Sequence, residues 1–358
     1  MSRDSKIKVG IAGIGFGQAV LAPAFALQPC CEVKAICASS EERARAVAQK
    51  LGIENAYGDW RRLCDDPQLN ALAIATPPPL QPEIAIAAFN AGKAVFCEKP
   101  LATSLRHALA MVKAARISGR ANMVDFEFPE IPAWQQARLL LQQGALGRIR
   151  QATVNWSVET YAIAKRIVSW KTQREEGGGI MYLFVSHVLH YVEFLLGSIH
   201  QLSCRMFPTA SASDALGETF VTLSVVAGSG VPVAVSVSTA AFLGSGHSLE
   251  IYGDEGTLIL RNPTSDYISG FQLFFAARGA KQLEQISGSP PLPGEALSDG
   301  RIQAVGKLAG RFLDWIESGK PACPSFRQGL RVQALLELAY ESHMERKWVN
   351  CEQRDEQL

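Results

Sequence analysis

Three glycines separated by single residues, Gly13, Gly15 and Gly17, stand between an apolar run and a helix-like stretch. Because glycine has no side chain, the backbone of such a turn can approach a phosphate closely and direct N–H groups at the helix start toward it. A strand, a glycine turn and a helix together predict a dinucleotide site in which these glycines and Phe16 bind the pyrophosphate. The third glycine comes one position early, with Gln18 in its usual place, so a turn without a ligand is the alternative.

The end of the second predicted strand bears on which dinucleotide would bind. An NAD-preferring fold carries a carboxylate about 20 residues after the glycine turn, where it accepts hydrogen bonds from ribose hydroxyls. This chain has Ser39 and Ser40 there, with Arg43 nearby, and such side chains suit the 2'-phosphate of NADP. The pattern favours NADP over NAD. Glu41 and Glu42 would repel a 2'-phosphate if they face it; the alternative is that they only complement the dipole of the helix that they begin.

Apolar runs of strand length alternate with helix-length segments over the first third of the chain. This alternation predicts a parallel sheet with helical crossovers, the doubly wound Rossmann arrangement of an α/β domain. The predicted strands cover residues 7–12, 32–38, 71–75, 94–96 and 121–126. The predicted helices cover residues 19–27, 41–51, 59–63, 83–91 and 105–118.

The pattern changes after residue 126. Residues 220–225, 231–237 and 248–252 alternate in polarity, which predicts an open, mostly antiparallel sheet with flanking helices, an α+β domain. Residues 253–256 are a hairpin signal, and 329–343 have helical periodicity.

The chain has 358 residues, more than one core usually organises, so two domains are expected. We assign 1–123 to a dinucleotide-binding domain and 124–350 to a domain for substrate binding and oligomerisation. The late helix at 329–343 is expected to pack back toward the first domain, and 351–358 to form a polar, disordered tail.

Val231, Val233, Val235 and Val237 share one side of a predicted strand. If no helix covers that side, the valines form an exposed apolar patch. We therefore expect a homodimer or homotetramer that assembles through the C-terminal sheet.

The composition is that of an ordinary globular protein, with 47% hydrophobic residues, 19% charged residues and a net charge of +1. This balance gives no electrostatic reason to expect nucleic acid or an anionic membrane as partner. The chain shows no signal-peptide pattern and no uninterrupted apolar run of membrane-spanning length, so a cytoplasmic protein is expected. Its eight cysteines form no CxxC pair and no Cys/His cluster, so we expect reduced thiols and no metal site.

Several motifs, taken in order, resemble the glucose-fructose oxidoreductase / inositol dehydrogenase (Gfo/Idh/MocA) family of oxidoreductases. The string AIATPPPLQPEIAIAAFNAGKAVFCEKPLA at 73–102 resembles the family's third and fourth strands and ends in its Glu-Lys-Pro signature. Trp170-Lys171, the glycines at 177–179 and His187 resemble elements of its second domain. The segments LEIYGDEGTLIL and PSFRQGLRVQALLELAYES complete a resemblance over nearly the whole chain.

The resemblance implies roles for individual residues. Lys99 would lie beside the nicotinamide and the substrate hydroxyl, with Glu98, Thr76 and Pro77 also at the cofactor. His187 would carry the proton that leaves the hydroxyl, since imidazole titrates near neutral pH. From the residues alone, a surface lysine at a strand end and a structural histidine stay open as alternatives.

The chain departs from the family pattern on the helix of His187. Relatives usually carry Asp four residues before this histidine, and Leu183 stands there; the customary Asp three residues after it is His190. Where relatives often read Asn-Arg-Arg after the last Rossmann strand, residues 125–129 read DFEFP. Either the substrate differs from a typical sugar or the chemistry has shifted.

Other polar side chains could compensate for the missing carboxylate. Tyr182, and Glu127 or Asp125, are candidates to contact substrate hydroxyls, with Trp170 and Lys171 also assigned to the substrate. A basic stretch just before the glycines would suit a phosphate-bearing or nucleotide-linked substrate if it faces the site, and is otherwise a solvated loop. Its residues are Lys165, Arg166, Lys171 and Arg174.

These features predict an NAD(P)-dependent oxidoreductase that moves hydride between nicotinamide and a secondary alcohol or ketone of a sugar-like, nucleotide-sugar or cyclitol substrate. The alternative is a dinucleotide-binding sensor of the same fold that has lost efficient catalysis, as Leu183 would permit.

Overall fold

The structure is a computed structural model that describes residues 6–207, 217–264, 266, 268–288 and 299–351. The chain forms two compact units, the first containing Met1–Glu127 and Leu297–Gln333 and the second Phe128–Ala296 and Ala334–Leu358. The sequence placed the boundary four residues earlier and assigned all of 124–350 to the second domain. Residues 297–333 belong instead to the first unit. The expected disordered tail lies outside the described residues except for Cys351.

The first unit is built on a parallel sheet of six strands. The strands are β1 (Ile7–Ala12), β2 (Cys31–Cys37), β3 (Asn55–Tyr57), β4 (Ala71–Ile74), β5 (Ala94–Cys97) and β6 (Asn122–Val124). Their spatial order is β3-β2-β1-β4-β5-β6, the doubly wound Rossmann order. The predicted strands are confirmed with ends within two residues; β3 was not predicted, because its three half-buried residues give no apolar run.

Helices connect these strands as the alternation predicted. They are a π-helical turn at Gly17–Leu21 that continues into α1 (Ala22–Ala26), α2 (Glu41–Leu51), α3 (Trp60–Asp65), a 3₁₀ turn at Pro78–Leu80, α4 (Gln81–Asn90) and α5 (Leu105–Ser118). Local chemistry sets the ends of α2: the Ser40 hydroxyl accepts a hydrogen bond from the Arg43 N–H, and Gly52 ends the helix with φ of +68°.

The second unit is built on a mixed sheet of nine strands. The strands are β7 (Ile149–Ser157), β8 (Ile199–Phe207), β9 (Phe220–Ala227), β10 (Val231–Ser238), β11 (Gly246–Gly253), β12 (Gly256–Asn262), β13 (Gln272–Ala277), β14 (Glu284–Gly288) and β15 (Val349–Asn350). Their order is β14-β13-β12-β11-β7-β10-β9-β8-β15, and only the β7–β10 pair is parallel. The predicted hairpin at 253–256 joins β11 to β12.

The remaining helices complete both units. They are a 3₁₀ turn at Phe128–Glu130, α6 (Pro132–Gln142), α7 (Tyr161–Ala164), 3₁₀ turns at Trp170–Thr172 and Arg174–Glu176, a π-helical turn at Met181–Val185, α8 (Ser186–Leu196), α9 (Arg301–Ser318) and α10 (Phe326–Glu345). The division between the units falls within α10, which contains the predicted helix at 329–343.

The core of the first unit explains why α9 belongs to it. Phe96 on β5 packs edge to face against Phe25 and Phe312, with ring centroids 5.4 and 5.8 Å away. Phe312 lies on α9 and is fully buried, as is Leu308 one turn earlier. The apolar face of α9 therefore covers this sheet and buries side chains from a segment 200 residues away in sequence.

The valines of β10 lie on the covered side of their sheet, so the prediction that they form an exposed apolar patch is wrong. Val231, Val233, Val235 and Val237 are at most 5% exposed. The open side of β10 carries Pro232, Ala234, Ser236 and Ser238. Self-association through this sheet stays a prediction, but an exposed apolar patch of valines no longer supports it.

One described helical stretch, Arg174–Leu196, is long and apolar enough by composition to cross a membrane. Within its most apolar 18 residues, 78% are buried inside the protein. This stretch is therefore a core helix of the second unit.

Replacing Phe312 by Ala should lower the free energy of unfolding by about 3–5 kcal/mol, because it leaves a cavity between α9 and the sheet. Gln303→Ala, at an exposed position of the same helix, is the matched control and should change it by less than about 0.5 kcal/mol. Denaturant unfolding of both variants measures the difference. Equal stability of the two would contradict the assignment of α9 to this core.

Candidate functional site

The carboxyl ends of the parallel strands gather the predicted site residues of the first unit at one edge of the sheet. Backbone hydrogen bonds continue just beyond the strands and fix these ends against one another. They run from the N–H of Gly13 to Cys37 O at 2.9 Å, Ala75 to Ala12 O at 2.8 Å, Glu98 to Ile74 O at 2.8 Å and Asp125 to Cys97 O at 2.9 Å. Ligands of doubly wound folds bind at this edge.

The glycine turn has the space that a dinucleotide needs. Gly13 has φ of +104°, and a Cβ there would lie 2.4 Å from the carbonyl oxygen of Ala75. A Cβ on Gly15 would have no described atom within 4 Å, so that side of the turn is open to a ligand. A Cβ on Gly17 would lie 2.9 Å from Ile11 Cγ2, so Gly17 allows the helix to pack closely on β1 despite its shifted position. These features fit a bound pyrophosphate.

The other predicted cofactor residues lie beside this turn. Thr76 and Pro77 follow β4 next to Gly13, and the buried Thr76 hydroxyl has no hydrogen-bond partner among the described residues. At the end of β2, the Arg43 guanidinium donates a hydrogen bond to the Ser39 hydroxyl at 2.7 Å. The Ser40 hydroxyl caps α2. Of the predicted residues at this strand end, Ser39 and Arg43 are therefore the ones whose side chains do not cap the helix.

Five charged side chains form a cluster at the ends of β5 and β6 and the start of α9, and we refer to them as the charged cluster. Its members are Glu98, Lys99, Asp125, Glu127 and Arg301. The structure thus brings together the predicted Glu98, Lys99 and both alternative carboxylates. Three carboxyl groups sharing one buried region would repel one another strongly, so their protonation states are coupled.

Burial is the largest cause of the raised pKa values of these three carboxyl groups. Asp125 is completely buried, and burial followed by the charges of Glu98 and Glu127 holds its pKa well above its usual range. Burial also raises the pKa of Glu127 to about 7, against the opposing effect of the Lys99 ammonium. Burial raises the pKa of Glu98, opposed by Lys99, by a hydrogen bond with Asp125 and by Arg301.

Arg301 is a site residue that sequence reasoning missed. It is the first residue of α9, and Asp299 holds its guanidinium through two hydrogen bonds of 2.9 and 2.6 Å. The same guanidinium lies 4.9 Å from the centre of the Phe16 ring, so it joins the glycine turn to the charged cluster. Only the Asp-x-Arg spacing at a helix start hinted at such a clamp, and that pattern is too common to point to a site.

His187, the predicted proton carrier, lies in the second unit near the start of α8. Its side chain is 5% exposed and packs edge to face on Phe128, with ring centroids 5.0 Å apart. Phe128 also contacts Trp156, on which His247 stacks at 4.2 Å. Burial lowers the pKa of His247 to about 3, so this neighbouring imidazole is neutral at physiological pH.

The glycines before His187 serve close backbone packing. A Cβ on Gly178 would lie 2.1 Å from the carbonyl oxygen of Trp170, and one on Gly217 would lie 2.7 Å from Gly179 Cα. The run therefore seats the Trp170-Lys171 segment against the residues that lead into β9. The Lys171 ammonium lies 5.8 Å from the centre of the Trp170 ring.

Tyr182 belongs to a polar group of the second unit that includes Tyr340. Its ring lies 6.2 Å from that of Tyr340, whose hydroxyl donates to Glu218 at 3.3 Å. The Arg174 guanidinium stacks 4.1 Å from the Tyr340 ring and approaches Glu218. Arg174 is thus engaged within the protein rather than presented as part of a free basic loop.

The remaining candidates differ in exposure. Lys165 and Arg166 are exposed, as expected of a solvated loop. Leu183 is half-buried. His190 is buried, and burial lowers its pKa to about 3, so it does not replace the missing Asp as a charged group. Among the described residues, no three His, Cys, Asp or Glu side chains are arranged to hold a metal ion.

Comparison with known proteins covers both units. Residues 7–126 match the oxidoreductase family profile described as the NAD-binding Rossmann fold, and residues 138–351 match that family's C-terminal alpha/beta domain. An uncharacterized oxidoreductase of Synechocystis is 31% identical over 98% of this chain and 97% of its own length. Levoglucosan dehydrogenase of Pseudarthrobacter phenanthrenivorans is 27% identical over 89% of this chain and 90% of its own length.

Solved structures agree with this relationship. A levoglucosan dehydrogenase in complex with NADH and L-sorbose superposes with a TM-score of 0.86 at 26% identity, over 97% of this chain and 99% of that chain. The fold predicted from sequence is therefore confirmed in both units.

Replacing Gly15 by Ala tests the glycine turn. The added methyl group enters open space, so the melting temperature should stay within about 2 °C. It also occupies the side from which a pyrophosphate approaches, so the Kd for NADH or NADPH should rise about tenfold or more. Fluorescence titration with the reduced dinucleotides measures this.

Gly13→Ala provides the contrast, because its methyl group would meet the Ala75 carbonyl in a left-handed backbone. This variant should lose about 2 kcal/mol or more of stability. Unchanged dinucleotide affinity in Gly15→Ala would show that no phosphate rests on this turn.

Proposed function

Because this chain belongs to the Gfo/Idh/MocA oxidoreductase family, we propose that it transfers hydride between a nicotinamide dinucleotide and a secondary alcohol or ketone of a sugar-like or cyclitol-like substrate. The chain is an oxidoreductase with an NAD-binding Rossmann domain. The observation that carries the finer proposal is Lys99 in the charged cluster, at the sheet edge that also bears the glycine turn. The named relatives are dehydrogenases and reductases, so the sensor alternative has only Leu183 in its favour.

The relatives' names support a polyhydroxylated substrate. They include D-apiose dehydrogenase and 1,5-anhydro-D-fructose reductase as well as levoglucosan dehydrogenase. All three names refer to carbohydrates or carbohydrate derivatives. We infer the same substrate class for this chain, with the individual sugar to be found by assay.

In this proposal the bound nicotinamide supplies the hydride donor or acceptor. The Lys99 ammonium donates a charge-assisted hydrogen bond to the substrate oxygen and stabilises negative charge that develops there. Arg301 and the glycine turn hold the dinucleotide end of the site. The family resemblance suggests His187 as the proton carrier.

Lys99→Met should reduce kcat by about 10²–10³-fold or more, because it removes the donor to the reacting oxygen while keeping a side chain of similar length. Lys113→Met, at an exposed position of α5, is the control and should keep wild-type kcat. The assay uses levoglucosan, D-apiose, 1,5-anhydro-D-fructose and a panel of ketoses, with NAD(H) and NADP(H). No turnover by the wild-type protein on the whole panel, with dinucleotide still bound, would overturn the proposed function.

We also propose that NADP(H) is preferred over NAD(H). Arg43 and Ser39 present a guanidinium and a hydroxyl at the end of β2. Of the two acidic residues that would oppose a 2'-phosphate, Glu41 is paired with Arg45 and Arg62. The levoglucosan dehydrogenase structures contain NADH.

Arg43→Ala should weaken NADPH binding by about 10- to 100-fold, the effect of losing one charge-assisted hydrogen bond worth about 1.5–3 kcal/mol. NADH binding should change little. Lys50→Ala, at the other end of α2, is the control for a lost surface charge. Parallel titrations of both reduced dinucleotides decide the matter, and equal loss for the two would refute a 2'-phosphate contact.

A further inference from the structure

The charged cluster contains three carboxyl groups that the hydride-transfer proposal has not used. Glu98 comes from the end of β5, and Asp125 and Glu127 come from the segment after β6. They are held close because β5 and β6 pair in parallel and the Asp125 N–H binds Cys97 O. Their charge is opposed by Lys99 and Arg301, so two cations face three potential anions.

Asp125 is not suited to accept the substrate proton, because burial and the charges of Glu98 and Glu127 hold its pKa well above its usual range. Its side chain is 0% exposed. Among the described residues, neither of its carboxyl oxygens accepts a hydrogen bond from a backbone N–H, a side-chain N–H or a hydroxyl group. The group that its carboxyl meets is the Glu98 carboxyl. Two carboxyls form a hydrogen bond only when one is protonated, and the pKa of Asp125, raised far by burial, identifies it as the donor. Two anions and two cations then remain among the five residues of the charged cluster, and Arg301 is also paired with Asp299.

Glu98 is engaged as the acceptor of that hydrogen bond. Its Oε2 also accepts a hydrogen bond from the Lys99 backbone N–H at 3.2 Å. Asp125, the Lys99 ammonium and Arg301 all favour its ionised form. Glu98 therefore acts as the fixed counter-charge of the cluster.

Glu127 differs from the other two carboxyls. It is 7% exposed, so unlike Asp125 it keeps an accessible surface. Burial raises its pKa to about 7 and Glu98 adds to the rise, whereas Lys99 and Arg301 limit it; Asp125 is the remaining carboxyl beside it. A carboxyl that changes its charge near neutral pH is suited to take and return a proton.

We propose that Glu127 accepts the proton of the substrate hydroxyl group during oxidation, an assignment that rests on the oxidoreductase function proposed above. The substrate O–H bond breaks, its proton bonds to a Glu127 carboxylate oxygen, and its electron pair becomes the second C–O bond as the carbon gives up hydride. In the direction of reduction Glu127 returns the proton. Lys99 keeps its protons throughout and orients the oxygen.

This assignment accounts for the departure at Leu183. The family resemblance leads to an Asp on the His187 helix, and this chain has none there. A carboxyl after β6, in the same charged cluster as Lys99, supplies the missing proton acceptor from a different element. Glu127 is then a catalytic residue, and Glu98 and Asp125 are positioning residues that set its charge.

The test compares Glu127→Gln with Glu317→Gln, the same change at an exposed position of α9. With the best substrate of the panel, Glu127→Gln should lower kcat for oxidation by about 10²-fold or more, with the Kd for dinucleotide within about threefold. In the wild-type protein, kcat/KM for oxidation should rise with pH and level off above about 7, the pKa of Glu127. Glu127→Gln should lose this bend, and Glu317→Gln should keep it.

A second readout needs no substrate. Because the pKa of Glu127 is raised in the folded state, the unfolded chain releases this proton at lower pH than the folded protein does. Stability from this group is therefore full below the unfolded pKa and is lost as pH rises toward 7. The melting temperature of the wild-type protein should fall relative to that of Glu127→Gln between pH 5 and pH 8, and that of Glu317→Gln should follow the wild type.

Two results would overturn the assignment. One is Glu127→Gln with kcat within about threefold of wild type and an unchanged pH profile. The other is loss of the bend in His187→Gln but not in Glu127→Gln, which would give the proton to His187. Both leave the oxidoreductase function standing, whereas absence of any wild-type turnover would remove that function and this assignment together.

Discussion

Charge compensation at the carboxyl edge of the parallel sheet is the constraint on which the site depends. Carboxyl groups leave water at a large cost unless cations or shared protons offset their charge. Here Lys99 and Arg301 oppose the charges of Glu98 and Glu127, and burial holds the pKa of Asp125 well above its usual range. The order of the strands and the backbone hydrogen bonds beyond them bring these groups together. A lysine ammonium and a titrating carboxyl in one cluster are the consequence, and the proposed oxidation uses both.

The first unit was predictable from sequence because its signals are local. A glycine turn between strand and helix involves a few consecutive residues, and the structure has it where it was predicted. Lys99 was named through the family resemblance. Arg301 was missed because it reaches the cluster from a helix 200 residues later in the chain. No spacing rule predicts that α9 packs on this sheet, since its apolar face would suit either core.

The second unit shows the opposite balance. Its strands and hairpin follow from alternation in polarity, but alternation does not say which side helices will cover. The valines of β10 were therefore placed on the wrong side, and the open side carries small and polar residues instead. The glycines before His187 matched the family motif, and the structure shows a packing reason for them, since Gly178 meets the Trp170 carbonyl. His187 itself sits among aromatic rings, with the ring of Phe128 5.0 Å away.

The proton held between Asp125 and Glu98 is the most direct test of this account. Neutron diffraction from crystals of the deuterium-exchanged protein near pH 8 would locate hydrogen atoms on the three carboxyls. The account predicts density for a deuterium on Asp125 directed at Glu98, none on Glu127, and a fully deuterated Lys99 ammonium. Three bare carboxylates, or a neutral Lys99 beside a protonated Glu127, would contradict it.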